Sequence, residues 1–192
     1  MSVYLAAPCL DDVDALLAFE TVNRAFFEAH INARPSSFYS TNGVRTAIEA
    51  AIEDARLDRA YQFLVRDDCG SVVGRVNLAQ VKRAHFHSAV LGYRIGRDAG
   101  GKGHAGAAVH AVLALAFGEL GLLRIEADAG VENVASQRVL LRNGFVQYGR
   151  SRRSFELDGV WHDRLHFERH AVAAHLPDTP VHGQHARHLL SV

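Results

Sequence analysis

Residues 92–109 read GYRIGRDAGGKGHAGAAV, an apolar, strand-like run that breaks into glycines and then turns into alanines. Gly100, Gly101, Gly103 and Gly106 fall within seven residues, accompanied by no proline and by only two charged or titratable side chains, Lys102 and His104. Exposing this much backbone just before a helix makes an anion site. Glycines let the main chain approach a ligand, and the free N–H groups of the helix start point at negative charge. The segment is therefore a strand–turn–helix unit, and the rest of the chain must be arranged around it.

Apolar groups at Val13, Leu16, Leu17, Phe19, Phe26 and Phe27 have helical spacing, so one helix is expected over 11–30, with acidic residues in its first turn. INARPSSFYSTN (31–42) reads as a loop rich in turn formers, and a second helix fits 43–58, with Val44, Ile48, Ile52 and Leu57 on one stripe. The runs 61–67 and 71–81, separated by Asp68-Cys69-Gly70, read as a hairpin, and 87–96 as a third strand. After the glycines come a helix at 104–119, a strand at 122–129 and a helix at 134–143 ending at Gly144, a good left-handed cap. Two closing strands, 145–157 and 160–170, flank the hairpin turn Asp158-Gly159. Helices, an antiparallel meander, one crossover unit, a short helix and a hairpin make an α+β layout with a mixed sheet, not an alternating doubly wound one. The domain is expected to span 1–170, followed by a mobile tail at 171–192 that holds four histidines and two prolines without periodicity.

Composition narrows the partners. The 192 residues suffice for one domain with a proper core, and 21 basic residues balance 21 acidic ones, so no bulk field draws the chain to nucleic acid or a membrane surface. Cys9 and Cys69 lie far apart without metal-ligand spacing, which suits a reducing cytosol. MSVYLAAPCLDDVD has no signal-peptide pattern, and the longest nearly apolar stretch, 107–117, is too short to span a bilayer and contains His110. The expectation is a soluble, cytoplasmic protein. His85, His87, His162 and His166 form no HxxxH pair on a helix, so no metal site is expected.

Two anions could occupy the glycine turn. Gly101, Gly103 and Gly106 match GxGxxG, and Glu126 follows 20 residues later, as in a dinucleotide-binding fingerprint. Three observations weigh against that reading. Arg97-Asp98-Ala99-Gly100 separate the strand from the first glycine, too few elements remain after Glu126 for further parallel units, and an antiparallel meander precedes the unit.

The second reading is the pyrophosphate of an acyl-CoA. GGKGHAGAAV resembles the phosphate loop of the GNAT acetyltransferase superfamily: Gly103 and Ala105 match its last two positions, while Gly100 stands where Gln or Arg is usual. GLLRIEADAGVENVASQRVLLRNGF (121–145) resembles the RimJ/RimL branch, the ribosomal-protein alanine N-acetyltransferases, in Glu126, in Glu132 to Ser136 and in Gly144-Phe145. DGVWHD (158–163) resembles the branch's closing hairpin, and NRAFFEAH with RPSSFYS its N-terminal segment, so the likeness runs from about residue 8 to 169. It implies a GNAT fold: a mixed, mostly antiparallel sheet with a β-splay between two central strands, here 87–96 and 122–129, and helices on both faces.

The resemblance also assigns roles. Acetyl-CoA would lie in the splay, its pyrophosphate on Gly101, Lys102, Gly103, His104, Ala105 and Gly106, with Lys102 serving through its backbone N–H more than its charge. Backbone N–H groups near Ile95 would polarise the thioester carbonyl. Asn133, otherwise a plain helix N-cap, would face the pantetheine arm, and Ser136 the sulfur. Glu126, on the polar face of its strand with Arg124 and Asp128, would accept the amine's proton directly or through water. Many GNAT enzymes carry a Tyr acid where Leu140 stands here, leaving Ser136, water or no acid at all. Tyr93 and Arg94 read as core edge and surface. The acceptor is expected to be a protein N-terminus, such as that of a ribosomal protein, bound in a site built by 20–45 and 150–165, on a monomer or homodimer. A small-molecule amine acetyltransferase and a non-catalytic acyl-CoA sensor are the alternatives.

Overall fold

The computed structural model describes residues 2–172, so the expected tail lies, from residue 173 onward, outside the described residues. Seven strands form one sheet: β1 (Val3–Ala6), β2 (Tyr61–Asp67), β3 (Val72–Lys82), β4 (Ser88–Ile95), β5 (Arg124–Gly130), β6 (Val146–Leu157) and β7 (Val160–His170). Their spatial order is β1-β2-β3-β4-β5-β7-β6, and every neighbouring pair is antiparallel except β4 with β5. The two-residue turn between β6 and β7 has positive φ at both Asp158 and Gly159, as a tight hairpin whose twist matches its strands requires.

Two apolar clusters cover the sheet's two faces. Val65 of β2 packs with α4 (His104–Phe117), α5 (Val134–Arg142) and the inward residues Ile125, Ala127 and Ala129 of β5. Its neighbour Leu64 packs instead with α1 (Val13–Val22), α2 (Arg24–Glu28) and α3 (Thr41–Arg56). Adjacent strand residues point to opposite faces, so the helices sandwich the sheet. Because α4 is enclosed, Ala108, Val109, Val112, Leu113 and Ala116 are all buried, and its apolar residues cover more than one stripe.

The parallel pair opens partway along its length. β4 and β5 pair from Ser88–Arg124 to Leu91–Ala127 and no further, while β4 runs on to Ile95 and β5 to Gly130. This is the expected splay. Beyond Leu91 the facing edges of the two strands are free for a ligand.

Three expectations need correction. The helix expected over 11–30 is a 3-10 turn at Leu10–Asp12 followed by α1 and α2, which break at Asn23. The cause is local competition: the Asn23 amide donates to the Phe19 carbonyl at 2.9 Å and its Oδ1 accepts from the Arg97 backbone N–H at 2.9 Å, tying the bend to the end of β4. The stretch 31–42 is not all loop, because Ser36–Phe38 make a 3-10 turn and α3 starts at Thr41, with Ser40 Oγ capping the Gly43 N–H at 3.1 Å. Finally, β1 is a strand that the sequence does not predict; at four residues it is too short for alternation to announce it.

Candidate active site

The glycine turn has the conformation an anion site needs. Gly101 and Gly103 have φ of +72° and +82°, and a Cβ at either would meet nothing within 4 Å. The demand for glycine is therefore conformational, and the space before the backbone is open. Gly103 is the N-cap of the 14-residue α4 and brings no side chain to satisfy the first N–H groups. Lys102 is exposed, and His104 is buried with neither ring nitrogen hydrogen-bonded. Both border a depression of about 360 Å³ with Asp67, Asp68 and Asp98. Ala105 and Gly106 follow in the first turn of α4, half-buried. The turn's uncapped N–H groups and left-handed backbone suit a pyrophosphate, with the three carboxylates across the depression standing against it.

The splay opens into a separate cavity of about 1030 Å³. Its walls are Gly92, Tyr93 and Arg94 of β4, Asp128 to Gly130 of β5, and Val131 to Ser136 leading into α5. Parts of 29–34 and 150–164 close the far side, within the two segments expected to build the acceptor site. None of residues 96–106 lines it, so the glycine turn and the cavity occupy different places along the splay.

Asn133 Oδ1 accepts from the Ser136 N–H at 3.0 Å, the N-cap bond expected from sequence, and both residues border the cavity. Ser136 does not stand alone. Its Oγ lies 2.8 Å from the Tyr93 hydroxyl, which also donates to the Ser136 carbonyl at 3.1 Å, so a bridge spans the splay from β4 to α5. Burial pushes the Tyr93 phenol up to about 12, against a smaller downward pull from Ser136. The phenol is thus protonated at neutral pH. Tyr93 packs at the core's edge, as expected, and also lines the cavity; Arg94 is not a surface residue, because it lines the cavity too and its side chain is only 16% exposed.

Glu126 is placed differently. It faces Val90 in the closed part of the pair, is bound by Arg124 at 2.9 Å and by the Tyr148 hydroxyl at 3.2 Å, and does not line the cavity. The carboxylate of the same strand face that does line it is Asp128, held by Arg164 at 2.5 Å. Ile95 ends β4 opposite Gly74, beyond the last β4–β5 pair, and is not a wall residue either.

The acceptor side contains a charge cluster that the sequence reading did not assemble. Glu20 is fully buried, and its Oε1 accepts from Arg75 at 2.8 Å and Arg94 at 2.5 Å. Arg34 stands near both, over the Phe38 ring at 4.3 Å. One clue was available: Glu20 sits four residues after Leu16, so the helical stripe that places Leu16 inside places a carboxylate beside it.

Among the described residues no cluster of His, Cys, Asp and Glu could hold a metal ion, and no helix is long and apolar enough to cross a membrane. Comparison with known proteins places the geometry. Residues 2–146 match the acetyltransferase (GNAT) domain family. The chain is 33% identical over 165 residues to "Probable N-acetyltransferase YjcK" of Bacillus subtilis, covering 84% of this chain and 90% of that one. It is 28% identical over 164 residues to the [Ribosomal protein uS5]-alanine N-acetyltransferase of Escherichia coli, covering 84% of each. Among solved structures, Mycobacterium smegmatis RimJ in complex with CoA-disulfide superposes with a TM-score of 0.82 and 27% identity, covering 92% of this chain and 85% of that one. The fold, the splayed parallel pair and the glycine turn thus have one explanation: the chain belongs to the GNAT acetyltransferase family and is an N-acetyltransferase.

Proposed function

We propose that this enzyme moves the acetyl group of acetyl-CoA onto a primary amine, the N-terminal α-amine of a protein. The observation that carries this reading is the splay, with an anion-ready helix start at one end and a large cavity at the other. Gly101 to Gly106 hold the pyrophosphate through backbone N–H groups, Asn133 borders the arm, and N–H groups near Ile95 face the carbonyl. The amine forms the new C–N bond as the C–S bond breaks. Its proton passes to a carboxylate on the polar face of β5, and the departing thiolate takes one from water or from Ser136. Asp128 is on the cavity wall for direct transfer; Glu126, two residues back on the same face, would act through water.

An N-terminal amine titrates at about 7.7–8.0, so near neutral pH most of it is protonated and a base is worth roughly 10²–10⁴-fold. The test incubates the protein and acetyl-CoA with N-terminal peptides, polyamines and free amino acids, reading added acetyl groups by mass. Glu126→Gln and Asp128→Asn are then compared across pH. The variant that removes the base loses turnover at neutral pH and recovers part of it as free amine becomes plentiful, with CoA binding intact. Parent-level rates in both variants at every pH would remove β5 from the chemistry. CoA binding without acetylation of any amine would favour the sensor.

A further inference from the structure

We infer that the acceptor side of the cavity is built for an amine that carries an anionic group close to its reactive nitrogen, received by Arg34, Arg75 and Arg94. This rests on the acetyl-transfer reading and specifies its substrate class.

The acceptor side of the cavity carries a charge imbalance. Three guanidiniums line this side of the cavity, and two of them, Arg75 and Arg94, share the carboxylate of Glu20. Glu20 spends one oxygen on both Arg75 and Arg94, while its Oε2 is buried without a hydrogen-bond partner. Arg75 turns a second donor to Gln62 Oε1 at 2.5 Å, a neutral acceptor. Arg34 forms no ion pair among the described residues, and its Nε is buried without a partner. The side chains of Arg75 and Arg94 are only 14% and 16% exposed, so water screens them poorly.

Neighbouring charges do not cancel the excess. Glu28 of α2 is taken by Arg24 at 2.9 Å, Asp163 by Arg150 at 2.5 Å, and Asp128 by Arg164. Glu132 is exposed on the α5 side of the opening. What remains is a half-enclosed surface with three positive charges against one negative. The titration directions agree with crowding: burial and then Arg75 lower Arg34, while burial, with Arg34 and Arg75, brings Arg94 down to about 10 despite the pull of Glu20. A guanidinium brought down to about 10 is still charged at neutral pH, so Arg94 keeps its charge.

Such a surface is unfinished without an anion. A carboxylate would meet the Arg34 fork and the free donors of Arg94, charge-assisted bonds of the strong kind. A polycation would be repelled. The carboxylate could be an acidic side chain beside a peptide's N-terminus or the α-carboxylate of a free amino acid. The recognising chemistry is the same, and the experiment separates the sources.

The experiment measures kcat/KM with acetyl-CoA for peptides differing only in their second residue (Asp, Glu, Ala or Lys), for free amino acids against their amides, and for spermidine. Acidic acceptors should exceed neutral ones by at least tenfold at low ionic strength, with the margin shrinking as salt rises, and spermidine should be the poorest. A preference confined to peptides assigns the side-chain source; one confined to free amino acids over their amides assigns the α-carboxylate. Arg34 is the position to change, because its removal leaves Glu20 its two ion pairs. Arg34→Gln should bring the acidic-to-neutral ratio toward one, and Arg34→Lys should restore part of it, with melting temperatures confirming that both fold. Equal rates for acidic, neutral and cationic acceptors, or an unchanged ratio in Arg34→Gln, would overturn the inference while leaving acetyl transfer intact. No acetylated product from any acceptor, with acetyl-CoA bound, would instead overturn the acetyl-transfer reading on which it depends.

Discussion

At the start of α4 the groups free to meet an anion are main-chain N–H groups, set out by Gly101 and Gly103 in left-handed conformations with no side chain pressing on them. Across the splay, between the 29–34 segment, β3 and β4, they are guanidiniums crowded around one buried carboxylate. Both ends of one cleft offer N–H donors to an anion, but they differ in what they ask of the fold. A backbone site needs only torsions that glycine adopts freely, and it carries partial charges that need no counterion. A side-chain site brings whole charges out of water, and its stability depends on every partner staying in place. The comparison predicts that damage at the first end falls on ligand binding and damage at the second falls on folding.

The largest effect should come from removing Glu20. Glu20→Ala leaves Arg75 and Arg94 buried without their counter-charge, and breaking a buried ion pair from one side costs about 3–5 kcal/mol. For a domain of this size that is a fall of about 6–20 °C in melting temperature. Scanning calorimetry of the parent and the variant checks it. A shift under about 2 °C would mean that the network is hydrated and the contrast between the two ends is wrong.

Gly103→Asp probes the opposite end. It places a carboxylate where an anion is expected and forces an L-residue to a φ of +82°. CoA affinity by calorimetry should fall at least tenfold, about 1.4 kcal/mol or more, while the melting temperature without ligand moves far less than in Glu20→Ala. Gly103→Ala, which adds strain but no charge, should fall between. Asn133→Ala is smaller again. It removes the bond to the Ser136 N–H, costing about 1 kcal/mol of stability, and weakens CoA binding modestly. A variant as stable as the parent would deny the cap its structural part.

The two ends also differed in how far they could be read from sequence. The glycine turn is contiguous and its conformation lies in the residue type, so the turn at Gly101 and Gly103 was legible along with the strand before and the helix after. The β5 alternation and the Asp158-Gly159 turn were legible for the same local reason. The arginine cluster gathers positions 20, 34, 75 and 94 from a helix, a loop and two strands, and nothing in their spacing joins them. Tyr93 looked like a strand residue because its hydroxyl gains meaning only when α5 folds over it. Glu126 shows a different limit. Its strand and its face were read correctly, but where the splay begins depends on where the β4–β5 pairing stops, which no periodicity encodes.

The smallest effect is expected at the bridge between Tyr93 and Ser136, and it tests whether this side-chain feature behaves more like the backbone end. The pair joins two neutral hydroxyls, so no charge is stranded when either is removed. A departing thiolate needs little help from an acid, so Ser136→Ala should lower kcat less than about tenfold, below the usual range for acid–base groups. The pH behaviour has a definite sign. Folding raises the Tyr93 phenol from its ordinary 10 to about 12, because burial disfavours the phenolate. The associated stability is fully present below pH 10 and is lost as pH rises toward 12. The parent should therefore lose stability relative to Tyr93→Phe only in that alkaline window, and the two should follow parallel pH–rate profiles below it. A break in the parent's profile well under pH 10 that vanishes in Tyr93→Phe would show the phenol ionising in the working enzyme. The bridge would then belong with the charged end of the cleft, and Ser136 would gain the part of a proton donor fed by Tyr93.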